Sequence, residues 1–146
     1  MDIGSGQPYP ANSLSNFAPH PFEFDGIAIA SMEGFLQSLK FANYLVQIEV
    51  CKLVGREAKY RGRCKKWWRY QILYWRGIKY DRHSQAYQQL LTRAYQAMYD
   101  QNEGFRKALK ASGQAVLTHE MGNSNPRETV LTKAEFCGRL MWLRDK

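Results

Sequence analysis

No run of apolar residues in this 146-residue sequence is longer than four, far short of the roughly 20 that a membrane-spanning helix needs. The start, Met1-Asp2-Ile3-Gly4, lacks the basic and apolar regions of a signal peptide, and none is expected. Cysteine is scarce: Cys51, Cys64 and Cys137 are an odd set, widely spaced, with no C-x-x-C pair. That argues against a disulfide framework and against a zinc site, and it fits a reducing, cytosolic setting. His20, His83 and His119 are equally scattered, so neither a metal nor a cofactor is expected. Carboxylates are in deficit as well, with 13 Asp and Glu against 21 Lys and Arg, a net charge of +8. Such an excess favours anionic partners, whether nucleic acid, phosphorylated small molecules or an anionic surface, without choosing among them.

Hydrophobic residues make up 45% of the chain and charged residues 23%, the balance of a soluble globular protein. Aromatic residues, at 14%, are too frequent for a disordered chain. The length suits one domain spanning residues 1–146 around one core. Proline-rich residues 1–21 read as an irregular, exposed arm, most clearly over 1–13. Phe22 to Ile29 alternate around Asp25-Gly26, a hairpin signal because both turn residues tolerate positive φ. Ser31 is a candidate N-cap for a long helix from Met32 to about Val54, closed by Gly55. A second helix is expected over Cys64–Arg76, and others over Ser84–Asn102 and Glu103–Ala111, the latter ended by Ser112-Gly113. Ala115–Thr118 reads as a short strand. Thr132 and Glu135 form a capping box for a last helix ending near Arg144. The expected architecture is mainly α, with a small β hairpin near the N-terminus.

On a helix turning about 100° per residue, Glu33, Gln37, Lys40 and Tyr44 fall in one stripe about 60° wide. Apolar residues flank the stripe on both sides, Phe35, Leu36 and Leu39 on one and Phe41, Leu45 and Ile48 on the other. An ordinary surface helix has a broad polar face; a narrow seam suits a partly dry cleft. There a carboxylate, an amide and an ammonium would orient a polar substrate, and the carboxylate would stabilise positive charge on a reacting centre. A solvated i,i+7 Glu–Lys pair explains the same periodicity equally well.

Leu14-Ser15-Asn16-Phe17-Ala18, Pro21-Phe22, Gly26 and Ser31-Met32-Glu33-Gly34-Phe35-Leu36-Gln37-Ser38-Leu39-Lys40-Phe41 resemble the N-terminal signature of the NADAR (YbiA-like) family. Gly55-Arg56 and the ending Gly138-Arg139-Leu140-Met141-Trp142-Leu143-Arg144 are similar to its later motifs. The resemblance implies a helical fold and a metal-free N-glycosidase that cleaves C–N bonds at a ribosyl carbon. Substrates of that class are phosphoribosylamino-pyrimidines and ADP-ribose attached to guanine. By position, Glu33 matches the catalytic glutamate, which would stabilise an oxocarbenium-like state or activate water. Lys40 and Arg56 would hold phosphate, while Asn16, Phe17 and Gln37 would contact ribose or base. Where many members carry an Asp and a Trp-Gly pair, this chain has neither in residues 119–129. His119 is the candidate proton donor there, with Glu120 or Glu128 as substitute carboxylates.

Ten Lys or Arg residues lie between Lys52 and Lys79, interleaved with Trp67, Trp68, Tyr70, Tyr74 and Trp75. Cations with aromatic faces are the usual composition of a nucleic-acid surface. Most of these aromatics are expected to pack inside, with one of Trp67 and Trp68 free to stack on a base. The alternative to a glycosidase is a non-catalytic module that binds nucleic acid or an ADP-ribose-like nucleotide.

Overall fold

The computed structural model describes residues 1–146. β1 (Phe22–Phe24) and β2 (Ile27–Ile29) pair antiparallel, with Phe24 opposite Ile27. Asp25 and Gly26 turn the chain with φ of 49° and 80°, the two left-handed residues of a tight hairpin. Phe22, Phe24, Ile27 and Ile29 all face the core. This hairpin follows the sequence reading closely.

The expected helix from Met32 to Val54 is instead two helices. α2 (Met32–Ser38) begins where the Ser31 hydroxyl accepts from the Gly34 N–H. α3 (Tyr44–Cys51) begins at Asn43, whose side chain accepts from the Val46 N–H. Carbonyls freed at such a break need partners, and Gln47 supplies them. Its buried amide nitrogen lies 3.1 Å from the carbonyls of both Ser38 and Phe41, and 2.7 Å from that of Tyr74. Gly55 does not close a helix; it opens α4 (Gly55–Arg63) at φ 56°.

The helix expected over Cys64–Arg76 is also absent. A 3₁₀ turn at Trp67–Arg69 leads into a second antiparallel hairpin, β3 (Ile72–Trp75) and β4 (Ile78–Asp81), turned at Arg76-Gly77. Long-range packing explains the strand. Trp75 stacks on Phe24, with ring centroids 5.6 Å apart, meets Phe35 edge-on at 5.0 Å, and donates from Nε1 to Asp25 at 2.9 Å.

α5 (Gln85–Gln101), α6 (Glu103–Ala111) and α7 (Lys133–Arg144) lie where the sequence placed them, the last with its Thr132–Glu135 capping box complete. The N-terminal arm is docked, not free. Ile3, Ala11 and Leu14 are buried, and α1 (Ala11–Leu14) packs on α6. The expected strand at Ala115–Thr118 reduces to a parallel bridge between Asp2 and Thr118. One cluster of 29 buried residues joins both hairpins to α2, α5, α6 and α7. No helix is long and apolar enough to cross a membrane.

Candidate active site

Glu33 stands in the first turn of α2, half-buried, one turn before Gln37. Its backbone N–H donates to the Asn16 carbonyl at 3.0 Å, which ties α2 to the segment after α1. Its carboxylate accepts from the Gln37 amide at 2.7 Å. Burial raises the Glu33 pKa above its ordinary value; the Gln37 hydrogen bond and the charges of Lys40, Lys59 and His119 oppose the rise. Lys40 is half-buried just beyond α2, and burial lowers its pKa while Glu33 opposes the fall. A carboxylate pushed towards its neutral form beside an amine pushed the same way is an unusual pair, and such pairs concentrate at functional sites.

Gln37 packs against α4. It is buried, and a Cβ on Gly62 of α4 would come within 1.9 Å of its amide oxygen. That oxygen has no hydrogen-bond partner. A buried acceptor left unpaired is costly, and here it lies one side chain from the Glu33 carboxylate.

Asn16 and Tyr95 complete the floor. The buried Tyr95 hydroxyl donates to Asn16 Oδ1 at 2.7 Å, and Tyr95 lies near enough to Glu33 for their charges to interact. That bond orients the Asn16 amide and leaves its two N–H donors for a ligand. Phe17 is half-buried with its ring against Gly55. His119 sits edge-on to Phe136, with centroids 5.3 Å apart, and its Nδ1 lies 2.8 Å from the Ile3 carbonyl. With Nδ1–H donating to that carbonyl, Nε2 is the nitrogen left for chemistry.

Several expected members lie elsewhere. The break after Ser38 takes Tyr44 out of the seam and leaves it exposed on α3. Glu120 is exposed, and its backbone N–H donates to Asp2. Glu128 organises its own loop by accepting from Asn123 and Asn125. Arg56 is exposed on the first turn of α4, and the charge of Lys59, one turn on, favours the Glu33 carboxylate. Trp67 belongs to the core and is unavailable for stacking, whereas Trp68 is 51% exposed. Trp68, Gln71, Arg127 and Glu128 line a surface groove of about 440 Å³. A more apolar groove of about 540 Å³ runs along the first hairpin beside Lys52. Neither includes Glu33.

The loop after His119 is anchored from beneath by Arg82, which is 1% exposed. Arg82 donates to the Thr129 carbonyl at 2.9 Å and to both carboxylate oxygens of Glu135, at 2.7 and 3.1 Å. Tyr87 donates to the Val130 carbonyl at 2.6 Å. Sequence reading had no signal for Arg82 or Tyr95, because each acts on a partner more than 45 residues away.

The fold that carries these residues is YbiA-like. The solved structure of YbiA from E. coli superposes with a TM-score of 0.65, at 20% identity, over 99% of this chain and 82% of that one. Within that fold the chain belongs to the bacteriophage protein GP30.3 family, whose profile matches residues 8–145. An uncharacterized 17.1 kDa protein of the Gp30–rIII intergenic region of enterobacteria phage T4 is 40% identical over 149 residues, 99% of this chain and 97% of that protein.

Proposed function

We propose that this protein is an N-glycosidase that hydrolyses a C–N bond at a ribosyl carbon, with ADP-ribose joined to guanine as its preferred substrate. The observation that carries the reading is the convergence on Glu33 of Gln37 from its own helix, Lys40, Lys59 of α4 and His119 from the loop before α7. Breaking a ribosyl C–N bond builds positive charge on the sugar. An ionised Glu33 would stabilise that charge or take a proton from the attacking water. Lys40 and Lys59 supply cations for the phosphate of the substrate. His119 Nε2, in the protonated ring, would give its proton to the departing base, while water adds its oxygen to the sugar carbon. The Asn16 amide suits a ribose hydroxyl.

Glu33→Gln tests the reading directly, because it keeps shape and hydrogen bonding and removes the charge. The expected loss in hydrolysis rate is about 100-fold or more, with a Tm no lower than that of the wild type at neutral pH, because burial disfavours the charge removed. A variant that hydrolyses ADP-ribosyl guanosine at near wild-type rate would overturn the assignment.

A further inference from the structure

The strongest unexplained feature is the charge of the chain that follows Ala58. Between Ala58 and Tyr80 there are eight Lys or Arg residues and no Asp or Glu. All eight are exposed, and none forms an ion pair with a carboxylate elsewhere in the molecule. Ordinary protein surfaces intersperse the two signs. Three large aromatics are exposed in the same stretch, Tyr60 at 58%, Trp68 at 51% and Tyr70 at 81%. Two carry their own cation: the Arg63 guanidinium lies 5.6 Å from the Tyr60 ring centre and that of Arg69 5.8 Å from Trp68. Trp68 also forms one wall of the groove of about 440 Å³ shared with Arg127.

We propose that the stretch from Lys59 to Tyr70, along α4 and the 3₁₀ turn, is a binding track for single-stranded nucleic acid. Cations meet the phosphates and the exposed rings stack on bases. A duplex keeps its base faces covered, so it would leave three solvent-facing aromatic rings unused; a single strand engages them. The track adjoins the Glu33 site. Lys59 acts electrostatically on both Glu33 and Lys40, and Gly62 backs Gln37. Arg61 and Lys65 lie over Phe41, the residue after Lys40, at 4.7 and 5.4 Å from its ring centre. A strand on the track therefore passes beside the carboxylate. The role of the track, presenting one modified nucleotide to Glu33, rests on the glycosidase reading; the binding itself does not.

Fluorescence anisotropy with a labelled, unmodified single-stranded oligonucleotide, its duplex, and anionic phospholipid vesicles as competitor tests this in the full-length protein. The single strand should bind tightest, with log affinity falling against log salt by about 0.7 per phosphate contacted. Trp68→Ala and Tyr70→Ala should each weaken binding about tenfold. The triple variant Arg63→Glu, Lys66→Glu, Arg69→Glu should weaken it about 100-fold or more, and should still hydrolyse a small ADP-ribosyl guanosine at the wild-type rate. Circular dichroism checks that each variant is folded. Tighter binding to duplex or vesicles, no binding to the single strand, or indifference to both aromatic substitutions overturns the track. A protein that binds the strand but hydrolyses nothing would leave the track standing and remove the glycosidase.

Discussion

Glu33 receives two opposed influences, and Gln37 sets their balance. Burial favours the protonated carboxyl, while the Gln37 amide and the surrounding cations favour the carboxylate. Burial dominates, so the group titrates above the usual glutamate range. If the working form is the carboxylate, activity rises with pH through that elevated value, and Glu33→Gln removes this acidic limb. Gly62 offers a finer probe. In an exposed helix Gly→Ala commonly stabilises by about 1 kcal/mol, but here the new methyl meets the end of the Gln37 side chain. A flexible side chain moves aside, so the expected outcome of Gly62→Ala is a folded protein in which Gln37 no longer holds Glu33. Losing that hydrogen bond raises the Glu33 pKa further. The acidic limb of the rate profile should shift to higher pH, and an unmoved limb would show that Gln37 does not tune the carboxylate.

Among the elements, α7 and the loop before it depend on one buried cation. Arg82, at the end of the second hairpin, grips Glu135 with both arms of its guanidinium and the Thr129 carbonyl with Nε. Gln88 of α5, at 2.6 Å, and the Thr132 N–H, at 2.8 Å, also donate to the same carboxylate. Removing one partner of a buried pair strands the other, so Arg82→Met should destabilise the fold by about 3–5 kcal/mol, measured by urea unfolding. The pair also predicts a pH dependence. The hydrogen bonds from Arg82, Thr132 and Gln88 hold Glu135 below its ordinary 4.5, against the opposing effect of burial. Its stabilisation is thus complete above about pH 4.5 and is lost as pH falls through the lowered value in the folded state. Glu33 has the opposite sign: its raised pKa makes the fold most comfortable with the proton on, and stability declines as pH rises above 4.5. Wild type should weaken on acidification, and a Glu135→Gln variant should lose much of that sensitivity.

At the scale of the molecule, a net charge of +8 bears on substrate choice. A free phosphoribosylamino-pyrimidine presents one phosphate, which Lys40 and Lys59 would satisfy alone. ADP-ribosylated guanine within a nucleic acid presents a pyrophosphate and a polyanionic backbone, and it would use the whole basic stretch. The expected outcome is faster removal of ADP-ribose from modified guanine than cleavage of the pyrimidine, by an amount that falls as salt rises. Comparing both substrates at two salt concentrations checks it. Preference for the pyrimidine, or indifference to salt on modified nucleic acid, would leave the charge without a catalytic role.

Where neighbouring residues decide the conformation, the sequence was sufficient. Asp25-Gly26 makes its turn from its own left-handed tolerance, Thr132 and Glu135 cap α7 reciprocally, and α5 and α6 stop at Asn102 and Ser112 as written. Glu33 and Gln37 meet because four residues make one turn. Tertiary structure decided the rest. The apolar pattern from Met32 to Val54 fits one helix as well as two, and the break is stabilised by the Asn43 cap, by Gln47 reaching back to the Ser38 and Phe41 carbonyls, and by the distant Tyr74 N–H on the Leu39 carbonyl. Residues 72–75 become a strand because Trp75 finds Phe24, Phe35 and Asp25, some 40 to 50 positions earlier. Trp67 and Trp68 are indistinguishable in composition, and the fold buries one and exposes the other. Lys59, Tyr95 and His119 converge on Glu33 from three separate segments. Local periodicity carries no information about such convergence, because it arises only when distant apolar faces close on a common core.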